Sequence, residues 1–194
     1  LALDANTTGE FNTAIGKESM TTNTTGDRNV AVGFKALQIM NVTDGSHTFN
    51  TAVGFAAGQL TTTGINNTFM GANAGNANTT GASNVCIGAG AGDAITTGSN
   101  NTIIGDFAGT TTLADTIVLA SGTTQRMQIN SSGSVMIGNY TGSHDDTGHN
   151  FNSNGTGLQV HTVTNNEANI YNNHNGGGTD KVFDFRFNNS SKGS

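Results

Sequence analysis

The sequence predicts an all-β fold: a β-solenoid (a parallel β-roll or β-helix) of 17-residue coils, followed by a short domain of β-strands. Three observations carry that reading. A short apolar unit ending in glycine recurs at near-constant spacing, a Thr-Gly turn precedes nearly every copy, and the composition is rich in Gly, Asn and Thr but poor in charge and devoid of proline.

The unit Asn12-Thr-Ala-Ile-Gly16 returns as Asn29-Val-Ala-Val-Gly33, Asn50-Thr-Ala-Val-Gly54, Asn67-Thr-Phe-Met-Gly71, Asn84-Val-Cys-Ile-Gly88 and Asn101-Thr-Ile-Ile-Gly105. Successive units lie 17 residues apart, except for one step of 21 between Asn29 and Asn50. The turns fall at Thr8-Gly9, Thr25-Gly26, Thr63-Gly64, Thr80-Gly81 and Thr97-Gly98, with Asp44-Gly45 standing in for the longer coil. Three residues beyond each glycine comes a small side chain: Ser19, Ala36, Ala57, Ala74, Ala91 and Ala108. Units this rich in Gly and Thr, without a 3.6-residue period, are poor helix formers.

In an extended run side chains alternate, so Thr13 and Ile15 share one face while Asn12 and Ala14 share the other. The pairs Val30/Val32 and Val85/Ile87 assign the first face inward. The expected repeat core is therefore Ile15, Val32, Val53, Met70, Ile87 and Ile104, with Ala74 and Ala91 at tight corners. Cys86 occupies the place of Ala14 and Ala31, which makes it a packing residue rather than a nucleophile.

Stacking accounts for the missing charges. Equivalent residues of adjacent coils lie ~4.8 Å apart, so a repeated charge would face its own copies, whereas Asn and Thr can hydrogen-bond along the ladder. No Asp, Glu, Lys or Arg occurs between Gly45 and Gly92. Each coil is thin, and small cores often need oligomerisation, so a homotrimer is expected. The domain organisation follows: a solenoid over 1–112, a β-meander connector over 113–142 and a C-terminal β domain with loops over 143–194. In the connector, strands are expected at Thr116–Ala120, around Met127 and Ile129, and around Val135 and Ile137, with a turn at Ser132-Gly133. Beyond it, 142–157 reads as a loop, with strands at 158–163, 168–171 and 182–187. The alternating Phe183, Phe185 and Phe187 suit a trimer core.

Several function classes are disfavoured. A net charge of −6 argues against nucleic acid. No run approaches the ~18 apolar residues of a membrane span, and the single cysteine excludes a disulfide framework within the chain. The five histidines, His47, His144, His149, His161 and His174, show no metal-ligand spacing. Asp145-Asp146 reads as an exposed acidic loop rather than a Ca²⁺ site. No catalytic residue, cofactor or metal is expected, and the chain does not read as an enzyme. The loops of 143–180 break the repeat, and Asp145, Asp146, Tyr171 and His174 are the candidate receptor contacts, suited to a cell-surface glycan or protein.

The unit Thr-Thr-Gly-x-x-Asn-x-x-Ile-Gly, over roughly 1–112, resembles repeats of phage tail-fibre proteins. It is also similar to the head repeat of trimeric autotransporter adhesins, whose coils form left-handed parallel β-rolls in a trimer. Gln125 to Gly133, followed by Val135-Met-Ile-Gly138, resembles a phage-fibre segment upstream of an intramolecular chaperone. Val182 to Asn189 resembles the strand that often follows that segment. The resemblance implies an extracellular, homotrimeric virion tail fibre that contributes to host attachment beside other fibre or baseplate proteins. A bacterial surface adhesin is the alternative. Because Leu3 aligns with Met20 and Leu37, the chain is expected to begin inside a coil, with more shaft or an attachment domain upstream and Ser194 as a processing or truncation end. An ice-binding solenoid is a third reading, prompted by Thr61-Thr-Thr63 and Thr110-Thr-Thr112. It is weakened because these threonines lie at turns.

Overall fold

A computed structural model describes residues 1–42 and 47–138, together with the backbone of short strands at 148–151, 163–164 and 167–168. The chain divides into two units, Leu1–Thr124 and Gln125–Ser194.

The first unit is a β-solenoid of about six turns, and no helix occurs among the described residues. Its strands are β1 (Thr13–Ile15), β2 (Val30–Val32), β3 (Thr51–Val53), β4 (Thr68–Met70), β5 (Val85–Ile87), β6 (Thr102–Ile104) and β7 (Ile117–Ser121). Each pairs in parallel with the next, residue for residue: Ile15 opposite Val32, Val32 opposite Val53, and so on to Ile104 opposite Leu119. The 21-residue coil keeps this register, so its extra residues are absorbed away from the strands. Because β7 continues the parallel stack, the first unit runs past the boundary expected at residue 112.

The direction of the strands' faces corrects the sequence reading. Ile15, Val32, Val53, Met70, Ile87 and Ile104 point outward. Ile15 is 60% exposed, Met70 43% and Ile104 44%, while Val32 and Val53 are only half-buried. The core is the middle residue of each strand: Ala31, Ala52, Phe69, Cys86, Ile103 and Val118 are buried, and Ala14 packs against them. The physical reason is the asparagine two positions earlier, which shares that face. Asn29, Asn50, Asn67, Asn84 and Asn101 are buried. Each accepts, through Oδ1, the backbone N–H of the equivalent residue one coil on: Asn50 N to Asn29 Oδ1 at 3.0 Å, Asn67 N to Asn50 Oδ1 at 3.0 Å, Asn84 N to Asn67 Oδ1 at 2.9 Å. Through Nδ2 they donate to turn carbonyls, Asn50 to Gly64 at 2.8 Å and Asn67 to Gly81 at 2.9 Å. Turning the isoleucine face inward would leave these buried backbone groups without partners, a penalty of about 1–3 kcal/mol each.

Core volume is shared between two opposing walls. In the early coils the large residues Met20 and Leu37 come from the far wall and meet alanines on the strands. From the fourth strand onward the arrangement reverses. Phe69 fills the centre, and the residues facing it are Gly58 and Gly75, where a Cβ would lie 2.6 Å from Phe69 Cδ2 and 2.2 Å from Phe69 Cε1. Interiors pack at crystal-like density, so one wall must shrink where the other swells.

Two further features lock the stack. At the strand ends Gly16, Gly33, Gly54, Gly71, Gly88 and Gly105 form a column with φ between 107° and 140°. A Cβ on Gly71 would lie 2.4 Å from the carbonyl oxygen of Gly88. At the turns, one threonine carbonyl gathers donors from the preceding coil. Thr79 O accepts from Thr62 N (2.9 Å), Thr63 N (3.2 Å), Gly64 N (3.2 Å) and Thr62 Oγ1 (3.0 Å).

In the second unit β8 (Thr124–Ile129), β9 (Val135–Gly138) and β10 (Gly148–Phe151) form an antiparallel meander, and β11 (Val163–Thr164) pairs with β12 (Glu167–Ala168). The turn at Ser132-Gly133 is present, closed by Asn130 Oδ1, which accepts the N–H groups of Ser132 (3.1 Å) and Ser134 (3.0 Å). Strand β10 falls within 142–157, which the sequence presents as a loop. There the backbone ladder with β9 outweighs the turn-rich composition. Strands expected at 158–163, 168–171 and 182–187 lie outside the described residues, apart from Val163 in β11 and Ala168 in β12.

Candidate assembly surface

The outward face of β1–β7 carries two parallel ranks. One holds Ile15, Val32, Val53, Met70, Ile87, Ile104 and Leu119; the other holds Thr13, Val30, Thr51, Thr68, Val85, Thr102 and Ile117. The first rank is apolar at every level, and neither contains a charged residue. Alternation along each short strand produces this face: the buried asparagine faces the core, so the residues beside it face out. Past the glycine column, Phe34 and Phe55 extend the apolar surface, their rings stacked with centroids 5.4 Å apart.

The remaining corners are polar. Glu18, Gln38, Gln59 and Asn76 form a chain of side-chain hydrogen bonds: Gln38 Nε2 to Glu18 Oε2 at 3.0 Å, Gln59 Nε2 to Gln38 Oε1 at 2.7 Å and Asn76 Nδ2 to Gln59 Oε1 at 3.3 Å. Lys17 and Lys35 lie 3.5 and 3.7 Å from Glu18. On another corner the Arg28 guanidinium sits between the rings of Phe11 and Phe49, at 4.9 and 5.8 Å. His47 Nδ1 lies 3.0 Å from Asp27 Oδ2, and the Glu10 backbone N–H, then His47 and Arg28, hold the Asp27 carboxyl below its ordinary range. Asp93 is shifted upward, by burial and by the Asp106 carboxylate.

The sequence-predicted residues are distributed as follows. Ile15 and its five equivalents form one outward rank, exposed or half-buried, instead of a core. Cys86 is buried as a packing residue, and burial pushes its thiol up to about 12. Of the five histidines, the side chain of His47 is described, and it belongs to the Asp27–Arg28 cluster. Asp145, Asp146, Tyr171 and His174 lie outside the described residues. Among the described residues no group of three or more His, Cys, Asp or Glu converges on a possible metal position. No helix among them is long and apolar enough to cross a membrane. The Phe11–Arg28–Phe49 rank went unrecognised in the sequence, although each member immediately precedes a ladder asparagine, which is the signal that could have found it.

The fold and surface define a β-solenoid repeat protein. In comparisons with known proteins, no family model, curated protein or solved structure matches the chain.

Proposed function

We propose that the chain is a structural component of an extracellular fibre, a homotrimeric phage tail fibre contributing to host attachment, and that it acts by bearing and presenting surfaces rather than by catalysis. One observation carries this reading: an unbroken, in-register ladder runs through all seven parallel strands, with backbone, asparagine and glycine contacts repeated at each step. Such a stack is quasi-one-dimensional, each coil resting on its neighbours, which suits a shaft. The repeat's resemblance to tail-fibre sequences supplies the virion assignment and the expected neighbours, other fibre or baseplate proteins. A host glycan or protein would be met by residues beyond the shaft. The ice-binding reading loses support, because hydroxyls of turn threonines such as Thr62, Thr79 and Thr96 donate to carbonyls of the next coil.

The test is localisation. Antibodies against the chain, imaged by electron microscopy, are expected to decorate tail fibres of purified virions. Decoration of bacterial envelopes instead would transfer the chain to the surface-adhesin class, and decoration of neither would overturn the fibre reading.

A further inference from the structure

We infer that copies of this chain meet through the outward face of β1–β7, with the Ile15–Leu119 rank at the centre of the contact. The inference deepens, and rests on, the homotrimeric reading of the fibre.

The face is the one side of the solenoid that combines continuity, apolarity and lack of charge. Seven strands spaced ~4.8 Å apart give a stripe about 30 Å long. Along it Ile15, Met70, Ile87, Ile104, Ile117 and Leu119 are all more than a third exposed. Exposed apolar patches of such continuity mark interaction sites. The other corners hold the Glu18–Lys35 network and the Arg28 sandwich, whose groups already satisfy one another.

The occupant is another copy of the chain, because the face offers a repeat spacing and nothing else. It holds no charge with which to select a partner of different chemistry. Its two ranks climb with one step, so a copy rotated about an axis parallel to the stack meets it level for level. Threonine or valine of one rank then lies against isoleucine, valine or methionine of the other at each height. A rotation that closes on itself gives a finite assembly, as soluble homo-oligomers prefer. Phe34 and Phe55 would border the contact.

The test compares the parent chain with Met70→Glu/Ile87→Glu. Both positions are exposed in the single chain. The two carboxylates stand one rung apart there, a repulsion that the control shares, whereas three copies would bring six together. Thr63→Glu/Thr80→Glu, on exposed turns, is the control. Sedimentation equilibrium is expected to give three times 19.7 kDa for parent and control. The face variant is expected to give the monomer mass with its β-type circular dichroism retained. In parallel, Ile87→Cys in a Cys86→Ala background, with one thiol per chain, treated with a short bismaleimide, is expected to yield covalent dimers. A face variant that stays trimeric, or an Ile87→Cys trimer that the bismaleimide does not cross-link, overturns the inference and leaves the homotrimer standing. A monomeric parent overturns both. Should the glutamate variant fail to fold, the cross-linking result decides alone.

Discussion

Asn84 Oδ1 accepts two hydrogen bonds from Asn101, one coil on: from the backbone N–H at 3.1 Å and from Nδ2 at 2.9 Å. Asn84 Nδ2 meanwhile donates to the Gly98 carbonyl at 2.9 Å. One buried amide therefore ties a strand to the coil that follows and to the turn that leads into it. The same arrangement recurs along the unit, so a side chain in the core acts as an extra rung of the backbone ladder.

Asn84→Ala is expected to destabilise the solenoid by about 2–5 kcal/mol, because it orphans the Gly98 carbonyl and the Asn101 N–H in a buried site. Chemical denaturation of the variant against the parent measures this. A loss below about 0.5 kcal/mol would mean that the amide ladder contributes nothing net.

Gly71→Ala combines a backbone conformation nearly exclusive to glycine with a Cβ 2.4 Å from Gly88 O. The conformational strain alone is about 1–3 kcal/mol, and the contact with main chain cannot be relieved by rotating a side chain. Thermal unfolding should show a lower midpoint, and hydrogen exchange should show earlier opening between β4 and β5 than elsewhere.

Phe69→Ala is expected to lose about 3–5 kcal/mol through the cavity it opens. Adding Gly75→Leu should restore part of that loss, since the ring that excludes a Cβ there is gone and the pair then resembles Leu37 facing alanines. A double-mutant cycle reads the coupling; strict additivity would refute the exchange of volume between the two walls.

Thr61 Oγ1 is buried without a hydrogen-bond partner. Thr61→Val keeps the shape and removes the desolvated hydroxyl, and should raise stability by about 1 kcal/mol. A lower melting midpoint in the variant would refute the assignment.

Burial holds the Cys86 thiol protonated to about 12, against an ordinary 9.0. Between those values the unfolded chain binds fewer protons than the folded one. Stability is therefore fully present below pH 9 and falls as pH rises, by up to about 1.4 kcal/mol per unit. Cys86→Ala should flatten that decline. At pH 8 the folded chain should resist thiol reagents that label it promptly in denaturant.

Much of this organisation is written in the sequence because stacking forces equivalent residues into one rank. The 17-residue spacing located β1–β6, and the Gly-rich unit ends located the corners. Which strand face lies inside was hidden, because Val30-Ala-Val32 or Thr102-Ile-Ile104 offers apolar side chains on both faces. The deciding residue was Asn29 or Asn101, whose polarity suggests solvent until its bonds to the next coil are seen. The rank that holds Phe11, Arg28 and Phe49 was hidden because its members differ in chemistry, one cation between two aromatic rings. Beyond β9 the repeat no longer guides the reading: β10 pairs with the strand just before it, but composition alone read it as loop. The receptor contacts expected at Asp145, Asp146, Tyr171 and His174 lie outside the described residues.

The exchange of bulk around Phe69 gives the coils an address. Coils bearing Met20 or Leu37 against alanine form one group and those bearing glycine against Phe69 or Ile103 another, while the level of Ala52 and Gly58 between them is filled by the Phe69 ring. Transposing one from the first group into the second would place two large side chains in one layer, or none. Lengthening by duplication is therefore easiest within the first group, about 4.8 Å per added coil, while shuffling across the boundary leaves a layer overfilled or empty. A protein that looks like a string of equivalent repeats thus has a directional text, read from one end to the other by what its core can hold.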